Sequence, residues 1–156
     1  MVDWQPTSRF CFLCGRENPV GLRVHWENDR EAGEIRGRVN VPEHFNGYPG
    51  VVHGGIVAAL LDETAGRTVL MDGAFDDLMV TLKLEVAYRQ PTPTGTELTV
   101  VGRLLRRASS RAEAESELRL PDGSVAARGK VILARPPAAV SSRWEPERAF
   151  WKVEQG

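Results

Sequence analysis

The stretch Gly50-Val51-Val52-His53-Gly54-Gly55-Ile56-Val57-Ala58-Ala59-Leu60-Leu61-Asp62-Glu63 decides how this chain folds. A His-Gly-Gly turn runs into the apolar residues Ile56 to Leu61, and a carboxylate follows them. Consecutive helical residues point in nearly every direction around the axis, so this helix is expected to be buried all round. Its start leaves backbone N–H donors without intrahelical acceptors, and the glycines let a ligand come close to them. Asp62 is then the anomaly. A buried carboxylate is costly unless it is paired or used, and one helical turn to either side it meets only Ala58, Ala59, Ala65 and Gly66. Glu63 differs, because Arg67 stands four residues on, where an ordinary helix ion pair forms.

Around this helix, apolar residues alternate with period two, the pattern of strands with one wet face. Before it, Leu22, Val24 and Trp26 alternate with Arg23, His25 and Glu27, and Ile35, Gly37, Val39 and Val41 with Glu34, Arg36, Arg38 and Asn40. After it, Val80, Leu82, Leu84, Val86 and Tyr88 alternate with Thr81, Lys83, Glu85 and Ala87. Three more such segments carry Leu98 to Leu104, Ala112 to Leu120 and Val125 to Leu133. Ala108-Ser109-Ser110 and Pro121-Asp122-Gly123-Ser124 read as hairpin turns. The order is strand, strand, long helix, then four strands, an α+β chain. One apolar helix among half-wet antiparallel strands is buried only if the sheet curls around it. This domain is expected over residues 21–135. Residues 1–20 form an N-terminal segment with a Cys-x-x-Cys turn, and 136–156 a linker and docking tail with Trp144, Phe150 and Trp151.

A chain of 156 residues is about one domain. Its net charge of −1 provides no basic field for nucleic acid or a membrane surface. No apolar run approaches the ~20 residues of a membrane span. The opening Met1-Val2-Asp3-Trp4-Gln5-Pro6 has neither a basic n-region nor an apolar h-region, so a cytoplasmic location is expected. Two cysteines make no disulfide framework.

His-Gly-Gly, an acid eight residues after Gly54, and the later strand Val80-Thr81-Leu82-Lys83-Leu84-Glu85-Val86-Ala87-Tyr88-Arg89-Gln90-Pro91 together resemble the hotdog-fold acyl-CoA thioesterases of the phenylacetate and 4-hydroxybenzoyl-CoA type. The opening Cys11-Phe12-Leu13-Cys14-Gly15-Arg16-Glu17-Asn18-Pro19-Val20-Gly21-Leu22 is similar to the Cys-rich start of one bacterial branch. The resemblance spans roughly residues 10–135. It implies a hotdog fold, a curved antiparallel sheet wrapped around one long central helix, and hydrolysis of an acyl-CoA thioester with no cofactor.

The chemistry of the motif assigns roles. The Gly54 N–H, at the positive end of the helix, would stabilise the oxyanion. Asp62 would attack the carbonyl or activate a water. Carried over from the family, Thr81 would hold the attacking water or the acid, and His53 would orient substrate or support the oxyanion turn. Asn46, Gly55 and Glu63 are candidate substrate contacts. Asn46 stands one residue out of the family's register, in the loop 42–52, where this chain departs most. Arg89, Arg103, Arg106, Arg107 and Arg111 could meet coenzyme A phosphates, although hairpin arginines are more often solvated charges.

Helix rise then sets the assembly. At ~1.5 Å per residue, Gly54 and Asp62 lie roughly 12 Å apart along the axis. A carbonyl held at Gly54 cannot touch the Asp62 of the same helix. A complete site needs the acid of a second, antiparallel copy, the geometry of a two-fold homodimer with two equal sites. A tetramer is compatible with the same requirement.

Cys11 and Cys14 supply half of a zinc site. With His25 on a wet strand face, the thiols are expected to pack a tight turn, and no metal is expected. The resemblance leaves two other functions open on this fold. One is a non-catalytic acyl-CoA-binding protein. The other is a 3-hydroxyacyl-thioester dehydratase, which the run His44-Phe45-Asn46-Gly47 superficially resembles. His44 is too far from Asp62 for that, and no proline follows Phe45.

Overall fold

The computed structural model describes residues 1–154. Strands β1 (His25–Asp29), β2 (Glu34–Asn40), β5 (Val80–Tyr88), β6 (Glu97–Arg107), β7 (Arg111–Arg119) and β8 (Val125–Ala134) build one antiparallel sheet. β3 (Asn46–Tyr48) and β4 (Val51–Val52) make a separate small hairpin. The large sheet runs in the order β1-β2-β6-β7-β8-β5. Helix α1 (Gly54–Gly66) and the 3₁₀ turn Arg67–Leu70 lie across it, packed on β5, β6, β7 and β8. This is the hotdog arrangement that the patterning predicts.

A row of small residues lets the sheet wrap so closely. Gly102 of β6 pairs with Ser116 of β7, which pairs with Gly129 of β8. A Cβ on Gly102 would stand 2.7 Å from the Thr64 carbonyl oxygen, and one on Gly129 would stand 3.2 Å from the Leu61 Cβ. Between them the Ser116 hydroxyl donates to the Leu61 carbonyl at 2.7 Å. Larger side chains in this row would lift the sheet off the helix. Trp26, Ile35, Leu60, Leu61, Leu98 and Leu118 fill the core around it.

The structure corrects two expectations. Helix α1 is not covered all round. Val57, Leu60, Leu61, Thr64 and Ala65 are buried, whereas Gly54 and Gly55 are exposed and Ala58 and Asp62 are half-covered. The sheet is open: among the described residues its edge strand β5 pairs only with β8, which leaves one flank of the helix uncovered by them. The first strand also starts at His25 rather than Leu22. Arg23 has φ 52°, left-handed backbone that an extended strand cannot run through.

Both ends of the chain dock beside the C-terminal half of α1. The Gln5 N–H donates to the Trp26 carbonyl, and Thr7 pairs with Lys152. After Pro137 the chain forms the short helix α2 (Ala138–Ser141) and the 3₁₀ segment Ser142–Phe150. Trp151 Nε1 donates to the Gly73 carbonyl at 2.9 Å, and Arg148 pairs with Asp76 at 2.6 Å. No helix among the described residues is long and apolar enough to cross a membrane.

Candidate active site

The start of α1 opens on a cleft of about 710 Å³ whose lining includes His53, Gly54, Tyr88 and Arg89. His53 is the N-cap. Its carbonyl accepts from the N–H groups of Ile56 (2.9 Å) and Val57 (3.1 Å), and its Nδ1 accepts from the Gly55 N–H at 2.8 Å. Capping through Nδ1 requires the neutral ring to carry its proton on Nε2. A Cβ on Gly55 would lie 3.0 Å from His53 Nδ1, so a larger residue there would crowd the capping ring. The Gly54 N–H is thereby the donor of this turn with no acceptor among the described residues. On its other side the Gly54 carbonyl accepts from the Tyr88 hydroxyl at 2.6 Å. Tyr88 was legible only as an apolar member of its strand, and the structure adds it to the site.

Asp62 sits two turns down the helix, away from this cleft, and its partner comes from the sheet. The Thr81 hydroxyl donates to Asp62 Oδ1 at 2.7 Å. Strict alternation puts Thr81 on the wet face of β5, with Lys83, and Leu82 on the dry one. The structure departs from this at two residues: Leu82 is exposed, and Thr81, exposed as well, is turned toward the helix, while Lys83 stays on the wet face. The β5–β8 register slips between Thr81 and Lys83, and past that irregularity Leu84 and Val86 pack on the core while Leu82 is 54% exposed. Such a bulge re-aims side chains by one position. No glycine or proline marks it in the sequence. Asp62 and Thr81 do not line the cleft at Gly54, as the helix length requires.

The remaining candidates go elsewhere. The Asn46 amide donates to Glu43 Oε1 at 2.7 Å, and the same carboxylate takes the Gly50 N–H and the Thr94 hydroxyl. These three donors, the Thr94 hydroxyl foremost, hold Glu43 below the usual carboxylate range. The loop 42–52 is thus organised by Glu43, which sequence reading missed. Of the five arginines, Arg103 pairs with Glu34, Arg106 with Glu113 and Arg107 with Asp77. Arg89 is exposed, lines the cleft and has no acid partner among the described residues.

Glu63 does meet Arg67, through Nε and Nη2 at 3.3 Å each. The pair has the expected i,i+4 spacing, but its arginine is buried. Arg67 is 2% exposed, lies 4.4 Å over the Trp26 ring and donates to the Pro6 carbonyl at 2.5 Å. Burial pushes the Glu63 carboxyl above its usual range despite Arg67. Glu63 also approaches the thiols: Cys11 Sγ lies 3.9 Å from its Oε1. The Cys11 S–H hydrogen bond, aided by the Arg67 charge, holds Cys14 below the usual thiol range, and Cys11 is correspondingly raised.

Over residues 49–127 the chain matches the Thioesterase superfamily. It is 34% identical over 68 residues to acyl-coenzyme A thioesterase THEM4 of Rattus norvegicus, aligning 44% of this chain with 27% of that protein. The chain therefore spans about a quarter of that relative's length. A solved thioesterase superfamily protein superposes with a TM-score of 0.73 at 29% identity, covering 81% of this chain and 60% of the other. A phenylacetic acid degradation-related protein of Ralstonia eutropha superposes with a TM-score of 0.64 at 25% identity, covering 72% and 85%.

Proposed function

We propose an activity for this chain on one premise: it belongs to the thioesterase superfamily. The activity is hydrolysis of an acyl-CoA thioester, in which water is consumed and a free acid and coenzyme A thiol are released. One observation carries the reading. An N–H at the start of α1 that has no acceptor among the described residues faces a cleft, and a carboxylate oriented by a threonine stands two turns away on the open flank.

The roles follow from that separation. The thioester oxygen takes the Gly54 N–H, and the helix start favours the negative charge that grows there. His53 leaves Nε2–H free to orient substrate while Nδ1 holds the turn. Asp62 acts from the other flank, either taking a proton from water or attacking the carbonyl itself, with one carboxylate oxygen pinned by Thr81. The acid that completes the Gly54 cleft belongs to a second copy, so the working unit is a homodimer joined along the open flank of α1 and β5. Arg89, uncommitted at the cleft, is the cation placed for a coenzyme A phosphate.

Incubation with aryl-, short-, medium- and long-chain acyl-CoA, read by thiol release, tests the reading and names the acyl group. Turnover of at least one class, abolished in Asp62→Asn, is the expected result. Saturable acyl-CoA binding without any thiol release would instead make this a non-catalytic acyl-CoA-binding protein.

A further inference from the structure

Half of a metal site in the sequence is completed in three dimensions. Cys11 Sγ, Cys14 Sγ and a Glu63 carboxylate oxygen all lie within 4.8 Å of one another. A tetrahedral zinc with Zn–S of about 2.3 Å and Zn–O of about 2.1 Å places its ligand atoms about 3.5–3.8 Å apart. The observed 3.9 Å between Cys11 Sγ and Glu63 Oε1 is already near that spacing. We propose that Cys11, Cys14 and Glu63 bind one divalent cation of the zinc class, clamping the N-terminal segment onto α1.

The loop around the thiols is built for thiolate ligands. The Leu13 N–H points at Cys11 Sγ at 3.4 Å, and the Ser8 hydroxyl lies 3.4 Å from Cys14 Sγ. The turn closes with the Gly15 N–H on the Cys11 carbonyl at 2.7 Å. Only glycine fits there, since a Cβ on Gly15 would lie 2.5 Å from that carbonyl oxygen. Charge also balances. Two thiolates and one carboxylate are matched by a divalent cation and the buried Arg67 guanidinium. Arg67 donates to the Glu63 carboxylate as an outer partner that orients a ligand. A cavity of about 400 Å³ borders all three side chains, so a fourth, open position faces it.

Binding is a balanced exchange: each of the three groups binds as its anion, and whatever protons they hold pass to solvent as the metal bonds form. Neither a redox partner nor an acyl-CoA takes part, so the site stands or falls apart from the hydrolysis proposal. The test uses full-length protein, reduced, then loaded with Zn²⁺ or Co²⁺ and dialysed. Expected are about one metal per chain, a thiolate-to-cobalt charge-transfer band, and a melting temperature that rises with zinc. Cys14→Ser should lose the band, and Glu63→Gln should keep it while binding zinc at least about tenfold more weakly. Glu63→Gln retains side-chain volume, so affinity is readable even if a cysteine variant misfolds. Absence of both metal and band in the reduced wild-type protein would overturn the proposal. So would unchanged zinc affinity in Glu63→Gln, or a chain 2 mass units lighter whose thiols have paired with each other instead.

Discussion

Thr81 Oγ1 donates to Asp62 Oδ1 at 2.7 Å, from an edge strand to the half-open face of the central helix. The helix alone offers this carboxylate nothing within a turn, and the bulge in β5 supplies the missing donor. One oxygen of Asp62 is thereby fixed, and the other is the one that acts in the proposed hydrolysis.

That relationship sets the first prediction. Asp62→Asn keeps shape and removes charge, so the fold should persist while turnover falls at least ~100-fold. Thr81→Val removes a hydrogen bond to a charged group, worth about 1.5 kcal/mol, and turnover should fall about tenfold, with Thr81→Ser restoring it. Glu63→Gln should show its loss in melting temperature far more than in turnover per folded molecule. Equal turnover losses from Asp62→Asn and Glu63→Gln would place the catalytic carboxylate elsewhere.

Gly54→Ala separates backbone need from chemical need. Gly54 does not have positive φ, and the nearest atoms from elsewhere in the fold to an added Cβ belong to Tyr88, at an ordinary 3.6–3.8 Å. Stability should therefore barely change. The methyl group would stand where the thioester oxygen approaches, raising the barrier by up to ~3 kcal/mol. A destabilised but fully active Gly54→Ala protein would refute the oxyanion assignment; melting and turnover on one preparation decide it.

His53 can be divided in the same way. His53→Ala removes the cap on the Gly55 N–H and should cost about 1 kcal/mol of stability. Asparagine is a good N-cap, so His53→Asn should recover that stability. Turnover should stay low in both if the imidazole Nε2–H orients substrate. Full turnover in His53→Asn would reduce the residue to a cap.

Glu34 supplies a pH dependence remote from the site. Its side chain is 8% exposed and takes Arg36 at 2.8 Å and Arg103 at 2.7 Å. Burial raises its carboxyl, but the two arginines outweigh burial and the net shift is downward from 4.5. A depressed folded-state value means stability that is present above pH 4.5 and lost as pH falls through the folded-state value. Melting temperatures of wild type and Glu34→Gln should differ by the equivalent of about 2 kcal/mol near neutrality and converge in acid. A gap that is constant with pH would rule out charge as its source.

Much of the fold was legible because its signals are periodic. The apolar run Ile56–Leu61 and the six alternating segments place helix, strands and their order, and the turn residues at 108–110 and 121–124 place two hairpins. The candidate site was legible where a motif carries it, at His53, Gly54 and Asp62. It was hidden where geometry depends on the partner strand. The bulge that turns Thr81 toward Asp62 inserts no glycine, so alternation put that residue on the wrong face. Glu63 read as an ordinary helix ion-pair residue because spacing reports its neighbour Arg67 but not the Trp26 ring and the Pro6 carbonyl that hold Arg67 buried. The loop 42–52 is held by one carboxylate, Glu43, and a lone acid in a loop has no pattern to announce it.

The dimer yields the sharpest prediction. Strand β5 is an edge with no second partner strand among the described residues, and Leu82 is 54% and Tyr88 56% exposed on it; the two halves of the proposed site lie roughly 12 Å apart along one helix. If the Gly54 of one copy works with the Asp62 of the other, two crippled proteins should rescue each other. Gly54→Ala and Asp62→Asn homodimers each have two broken sites. A heterodimer pairs the intact Gly54 of one chain with the intact Asp62 of the other, leaving one good site and one doubly broken site. Random exchange makes half of all dimers mixed, so a one-to-one mixture refolded together should recover about a quarter of wild-type turnover. Light scattering should show the dimer mass throughout. A mixture no more active than the average of its parents would mean that each site lies within one chain, and a fully active monomer would remove the need for the second copy altogether.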